Sequence, residues 1–434
     1  MVYTSRGRFL PVYTSVFAYP WDVLDETPAV FCANARERLG VDTVSLAVSY
    51  HAGKLILPHN PRRKVYYPDD GSVYFRPDPA AFAGSTIQPY VGALTREEDS
   101  LAALCAAAER AGLDVIAWTV CLHNTRLGMT YPEYTPRNAF DDPAITYLCP
   151  AQPAVRAYCR ALARDLARRY PLRALHLEAA HHMPFVHGFH HEMQQVRVTP
   201  ELQILLGLCF CSACLARARD AGVDGAAVRA YVAAEIERRF AQGGGSDDEA
   251  AWLFDYWRDR LDGELGRYVT LRGESVAQLL YEVRQAVRDV GDVAVHVQEA
   301  SAVGASPGVP GARVVDLAWQ FGMEVPPPRD AADGVAVLGY FAGVERFARE
   351  LDAYRARIPT DMPLEIALRP CAPDCTSVEE LRAKVAHCIA LGVAGMSFYN
   401  YGMMPEPNMA WMRDALARAT PHTVPHKPDA RERG

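Results

Sequence analysis

The chain has 434 residues, 50% of them hydrophobic and 22% charged, a composition that supplies a large core and excludes a disordered or fibrous protein. Its formal net charge of −7 leaves no basic surplus to neutralise a phosphate backbone, which argues against nucleic acid as a partner. No apolar run is long enough to span a bilayer, and the N-terminal MVYTSRGRFLPVYTSVFAYPW lacks the plan of a secretory signal, so a cytoplasmic protein with no membrane partner is expected.

Taken in chain order, helical and strand-like segments alternate. Apolar runs expected as strands fall at 12–18, 43–49, 114–120, 173–178, 293–298, 335–340, 364–369 and 394–400, with Val314 to Trp319 competing for the sixth place. Amphipathic stretches expected as helices cover 28–39, 96–111, 153–169, 215–241, 250–289, 343–357 and 377–391. Gly40, Gly112 and Gly392 each close a helix just before a strand, because glycine takes the left-handed conformation after a helix without a Cβ clash. Thr95 with Glu98 and Thr376 with Glu379 have capping-box spacing, and Thr27 precedes Pro28 at a first helical position.

Alternating helix and buried strand implies a parallel sheet, and eight strands close it. The expected fold is therefore α/β, a (β/α)8 TIM barrel, with residues 1–420 as one catalytic domain and 421–434 as a flexible tail. Insertions at 52–94 and 179–208 follow strands and should lie over the catalytic face, while Gly243-Gly244-Gly245 breaks two helices.

The most specific chemical signal is Cys209-Phe210-Cys211-Ser212-Ala213-Cys214, three of the eleven cysteines within six residues. Tetrahedral zinc takes four thiolates, and Cys149 in Leu148-Cys149-Pro150 is the candidate for the fourth. The expected cofactor is thus one structural zinc, with no organic cofactor. The alternative is that small apolar thiols pack under a loop.

Cys149 and its neighbours Tyr147-Leu148 and Pro150-Ala151-Gln152-Pro153, a helix carrying Arg156 and Tyr158, a strand ending at Glu178 and the Cys-x-Cys-x-x-Cys run together resemble the bacterial β-galactosidases of glycoside hydrolase family 42, over about 145–240. The resemblance implies zinc at Cys149, Cys209, Cys211 and Cys214, with Glu178 as the general acid/base. Two positions depart from that family. Leu177 stands where it has Asn, and Arg369 stands near the end of the seventh strand, where it carries the nucleophilic glutamate. Glu365 lies at the beginning of that strand, so it should face the wrong end of the barrel.

Glu178 also qualifies on its own terms, since a carboxyl finishing an apolar strand sits in a partly desolvated mouth where its pKa rises. Glycoside cleavage usually takes a second carboxylate, and Glu299, just past the fifth strand, is the expected partner. Tyr50, His51, Trp118, His123, Asn124, His181, His182, Arg369, Tyr399 and Asn400 gather at or near strand ends as expected substrate-binding residues, suited to a polyhydroxylated ligand. Arg369 is expected to bind an anionic substituent of it.

The expected function is hydrolysis of a glycoside, with a small-molecule carbohydrate as partner; a homo-oligomer is compatible with it. The histidines of 181–192, beside Glu192, open the rival reading of a metal-dependent lyase, isomerase or hydrolase. A carbohydrate-binding barrel without catalysis is the third.

Overall fold

The computed structural model describes residues 2–3, 9–10, 12–186, 191–299, 301 and 312–419. The expected tail therefore lies outside the described residues. Eight parallel strands close on themselves: β1 Tyr13–Ala18, β2 Thr43–Tyr50, β3 Asp114–Val120, β4 Ala174–Glu178, β5 Ala294–Glu299, β6 Gly334–Leu338, β7 Leu364–Leu368 and β8 Gly395–Phe398. Each pairs with the next, and β8 pairs in parallel with β1 to complete the (β/α)8 barrel. Among the described residues no helix is long and apolar enough to cross a membrane.

Side chains alternate across each strand. Val295, Val297, Val335, Val337, Leu364 and Ile366 join the main apolar core between strands and helices. The inward set is different. Tyr13, Ile116 and Ala174 pack together at the amino ends of the strands, where Gly395 is needed because a Cβ there would stand 2.4 Å from the Tyr13 ring. Above this plug the interior turns polar, with buried Ser15, Ser45, His176, His296, Glu365 and Ser397. Aromatic residues fill the carboxyl end.

The helices relevant to the site are α1 Pro153–Arg169, α2 Ser212–Asp220, α3 Gly225–Ala241, α4 Glu264–Arg288, α5 Val344–Arg357, α6 Val378–Ala390 and α7 Glu406–Ala419. Gly40, Gly112 and Gly392 take positive φ of 77°, 65° and 68° after their helices, as expected.

Four expectations change. Val314–Phe321 is a 3-10 helix rather than a strand, because Arg313 N–H donates to Asp316 at 2.7 Å and caps it, so β6 takes the sixth place. The helix expected over 215–241 divides at Gly222, and Asp224 caps its second half by accepting from Ala227 N–H at 2.9 Å. The stretch expected over 250–289 is helical without interruption only from Glu264. The capping positions also shift: Asp99 caps Ser100–Ala111, and Ser377 caps α6 while Glu380 reaches back to Thr376 N–H.

Candidate functional site

Alternation on β4 sends Leu175 and Leu177 outward into the core and leaves Glu178, the last residue, facing the open end of the barrel. There it lines a cavity of about 250 Å³ with Phe17, Tyr50, Trp118, Gln298 and Tyr399. The Glu178 carboxylate accepts from the Trp118 indole N–H and interacts with the Gln298 side chain. It keeps some solvent access through the cavity but is otherwise enclosed. Burial raises its pKa above the usual carboxylate value, and the two side-chain hydrogen bonds offset only part of that rise.

Aromatic residues build the walls. Trp118 meets Phe17 edge-on at 5.0 Å and Tyr50 at 5.2 Å, and His51 stacks between Tyr50 and His123 at 4.2 Å from each. The Tyr19 hydroxyl bonds to those of Tyr50 at 2.8 Å and Tyr399 at 2.9 Å. Burial raises all three phenols above their ordinary pKa, so they remain neutral hydrogen-bonding groups.

On the opposite wall Arg369, just past β7, lies over the Tyr340 ring at 4.3 Å while its Nε donates to Asp374. His181 lines the same cavity, edge-on to Phe321 at 5.2 Å.

Of the residues expected to bind substrate, Tyr50, Trp118, His123, His181, Arg369 and Tyr399 line this cavity. His51, Asn124, His182 and Asn400 do not; His51 packs behind the wall, between the Tyr50 and His123 rings, with Nδ1 2.7 Å from the Ala52 carbonyl oxygen. Asn124 accepts from Leu127 N–H at 2.9 Å and caps a helix. Asn400 accepts from Gly402 N–H at 3.1 Å and so holds the turn after β8. His182 is fully enclosed, and burial, followed by the nearby Arg272 cation, holds its pKa well below the ordinary imidazole value.

Glu299 is not brought to the cavity. It points outward from β5, where its carboxylate accepts from the Tyr354 hydroxyl on α5 and from Ser301 N–H at 3.0 Å. The inward neighbour is Gln298, one residue earlier, which sequence reading missed. Strict alternation from His296 would have found it.

The four cysteines converge. Cys149, before α1, has its Sγ 3.7 Å from Cys214, 3.8 Å from Cys209 and 3.7 Å from Cys211. Zinc with bonds of about 2.3 Å to sulfur holds its thiolates about 3.8 Å apart in a tetrahedron, so this buried set fits the ion. Among the described residues a second convergence joins His176, His296 and Glu365. Neither includes a residue of the His-rich segment 181–192, where His187 and His190 lie outside the described residues.

No protein-family model and no curated protein matches the chain. Solved structures do. The chain is similar to the catalytic domain of β-amylase from Paenibacillus polymyxa, with a TM-score of 0.55 and 9% identity over 94% of this chain and 99% of that one. It is similar to the β-galactosidase from the psychrophilic Marinomonas ef1, with a TM-score of 0.53 and 13% identity over 93% of this chain and 59% of that one. For α-L-fucosidase isoenzyme 2 from Paenibacillus thiaminolyticus the TM-score is 0.51 and the identity 14%, over 94% of this chain and 49% of that one. The chain thus spans about half the length of the fucosidase and about three-fifths of the β-galactosidase. These likenesses show a shared fold, the (β/α)8 barrel.

Proposed function

We propose that the chain is a glycoside hydrolase whose general acid is Glu178 and whose substrate is an acidic saccharide. The observation that carries this is one carboxyl group with a raised pKa at the carboxyl end of β4, inside an aromatic cavity. Aromatic faces suit the apolar faces of a sugar ring, and the Tyr50 and Tyr399 hydroxyls with the His123 imidazole suit its hydroxyls. Glycosidases of similar fold, the β-galactosidase and the fucosidase, support the same reading.

Among the described cavity-lining residues Glu178 is the only carboxylate, so a glycosyl ester on a second carboxylate is not part of the scheme. The proton of Glu178 passes to the departing glycosidic oxygen as the C–O bond breaks. The carboxylate so formed takes a proton from the water that adds to the sugar, which restores the acid. Arg369 stands where it can clamp an anionic substituent with its planar fork.

The same reading assigns Cys149, Cys209, Cys211 and Cys214 to one structural zinc that ties the loop before α1 to the start of α2. Its role there is to hold structure.

The test is a panel of aryl uronides and aryl glycosides of neutral sugars, assayed with the wild type and Arg369→Lys. Arg369→Lys should raise KM for the uronides by about tenfold, the loss of one bidentate charge-assisted contact, and leave neutral substrates unchanged. Equal losses on both classes contradict the acidic substrate, and no cleavage of any glycoside contradicts the hydrolase.

A further inference from the structure

Inward positions of a (β/α)8 barrel are ordinarily filled by branched apolar side chains, yet here three ionisable groups meet on the axis below the cavity. His176 on β4 and His296 on β5 are directly paired in register, and Glu365 reaches them from β7. His176 Nε2 lies 2.7 Å and His296 Nδ1 2.6 Å from the two carboxylate oxygens of Glu365. His176 is 0% and Glu365 1% exposed.

Glu365 thus pairs with both imidazoles at once, and the Tyr13 hydroxyl interacts with it as well. The two pairs fall short of strict hydrogen-bond angles, and Nδ1 of His176 is buried with no partner among the described residues. Two imidazoles crowded on one enclosed carboxylate through bent contacts form a donor set that a cation would satisfy together. The backbone makes room at the same place: a Cβ on Gly334 would stand 3.0 Å from Cδ2 and Nε2 of the His296 ring.

We propose that His176, His296 and Glu365 bind one divalent transition-metal ion inside the barrel, distinct from the cysteine site. Two imidazoles and a carboxylate form a donor set for zinc, iron(II), manganese, cobalt or nickel rather than for calcium or magnesium. The three ligand atoms lie within 4.8 Å of one another. Ligand bonds of about 2.1 Å place donors about 3 Å apart at right angles and about 3.4 Å apart in a tetrahedron, so the imidazole–carboxylate contacts would open by roughly 0.3–0.8 Å.

The ion is structural in placement, since the set is enclosed and lies two residues below the cavity on β4 and β5. His176 precedes Glu178 and His296 precedes Gln298 on the same inward faces. Fixing the lower pair fixes the strands that carry the upper pair. This inference does not depend on what the cavity binds.

Anomalous difference maps of wild-type crystals, soaked separately in zinc, manganese and iron(II) salts and recorded at each metal's absorption edge, test it without any assay. A peak among the three side chains, about 2.1 Å from each ligand atom, is the expected result. No peak there with any of the metals, while the imidazoles and carboxylate remain in direct contact, overturns the proposal. His176→Gln adds a second reading by elemental analysis: the folded variant should lose this metal and keep the sulfur-bound one. A folded His176→Gln protein with unchanged total metal also overturns it, and if that variant does not fold the wild-type maps decide.

Discussion

At the scale of single residues, the proposed chemistry turns on how protein surrounds the Glu178 carboxyl. Burial favours its neutral form, and the hydrogen bonds from Trp118 and Gln298 favour the charged one. A general acid must be protonated to act, so activity should fall as pH rises through this raised pKa. Trp118→Phe removes one group that lowers the pKa, and the alkaline limb of kcat/KM should therefore move to higher pH. An unmoved or downward-shifted limb would show that another group controls it.

Glu299 gives the contrasting case. Its carboxylate is enclosed and satisfied by Tyr354 and Ser301, away from the cavity. Glu299→Gln should leave kcat within a few-fold of wild type while costing about 1–3 kcal/mol of stability, the usual scale for disturbing a buried charged hydrogen-bond set. Thermal unfolding together with steady-state kinetics separates the two effects. A large loss of kcat with unchanged stability would return Glu299 to the reaction.

At the scale of elements, the strands were legible because each is a short apolar run ended by glycine or polar residues, and parallel strands buried on both sides keep that pattern. The Val314 run misled because its apolar residues fit either element, and the cap from Asp316 decided for helix. Pro20–Glu26, Pro200–Leu206 and α7 went unread. The first two are short and Pro-led, and α7 carries prolines and polar residues near its start that mask its period. Glu178 could be read from its place at a strand end. Gln298 and Glu299 were exchanged because a one-residue error in phase turns a side chain to the other face.

The cysteine cluster acts at this scale too, since it joins the loop before α1 to the first turn of α2. Cys211→Ser should remove the sulfur-bound zinc, seen by X-ray absorption as loss of Zn–S scattering, and lower the unfolding temperature by several degrees. Its effect on kcat should be smaller than that of Glu178→Gln. Wild-type protein purified without chelator that shows no Zn–S scattering would remove zinc from the account.

At the scale of the whole molecule, the barrel is a scaffold with three inward zones along its axis: an apolar plug, a polar middle and an aromatic mouth. Composition and periodicity revealed the closed barrel but not this zoning, because inward residues on different strands meet only once the register is set. His176, His296 and Glu365 are 189 or fewer positions apart in sequence yet in contact in space. Barrels of this kind host many chemistries, so the decisive evidence must come from the cavity itself.

The most direct measurement is the dependence of hydrolysis rate on leaving-group pKa for the wild type and Glu178→Gln, across one series of aryl glycosides that the wild type cleaves. If Glu178 protonates the departing oxygen, Glu178→Gln should lose about 10²–10⁴-fold on poor leaving groups and progressively less on good ones, steepening the dependence. An equal loss across the series, or no loss at all, would contradict Glu178 as the general acid and with it the proposed reaction.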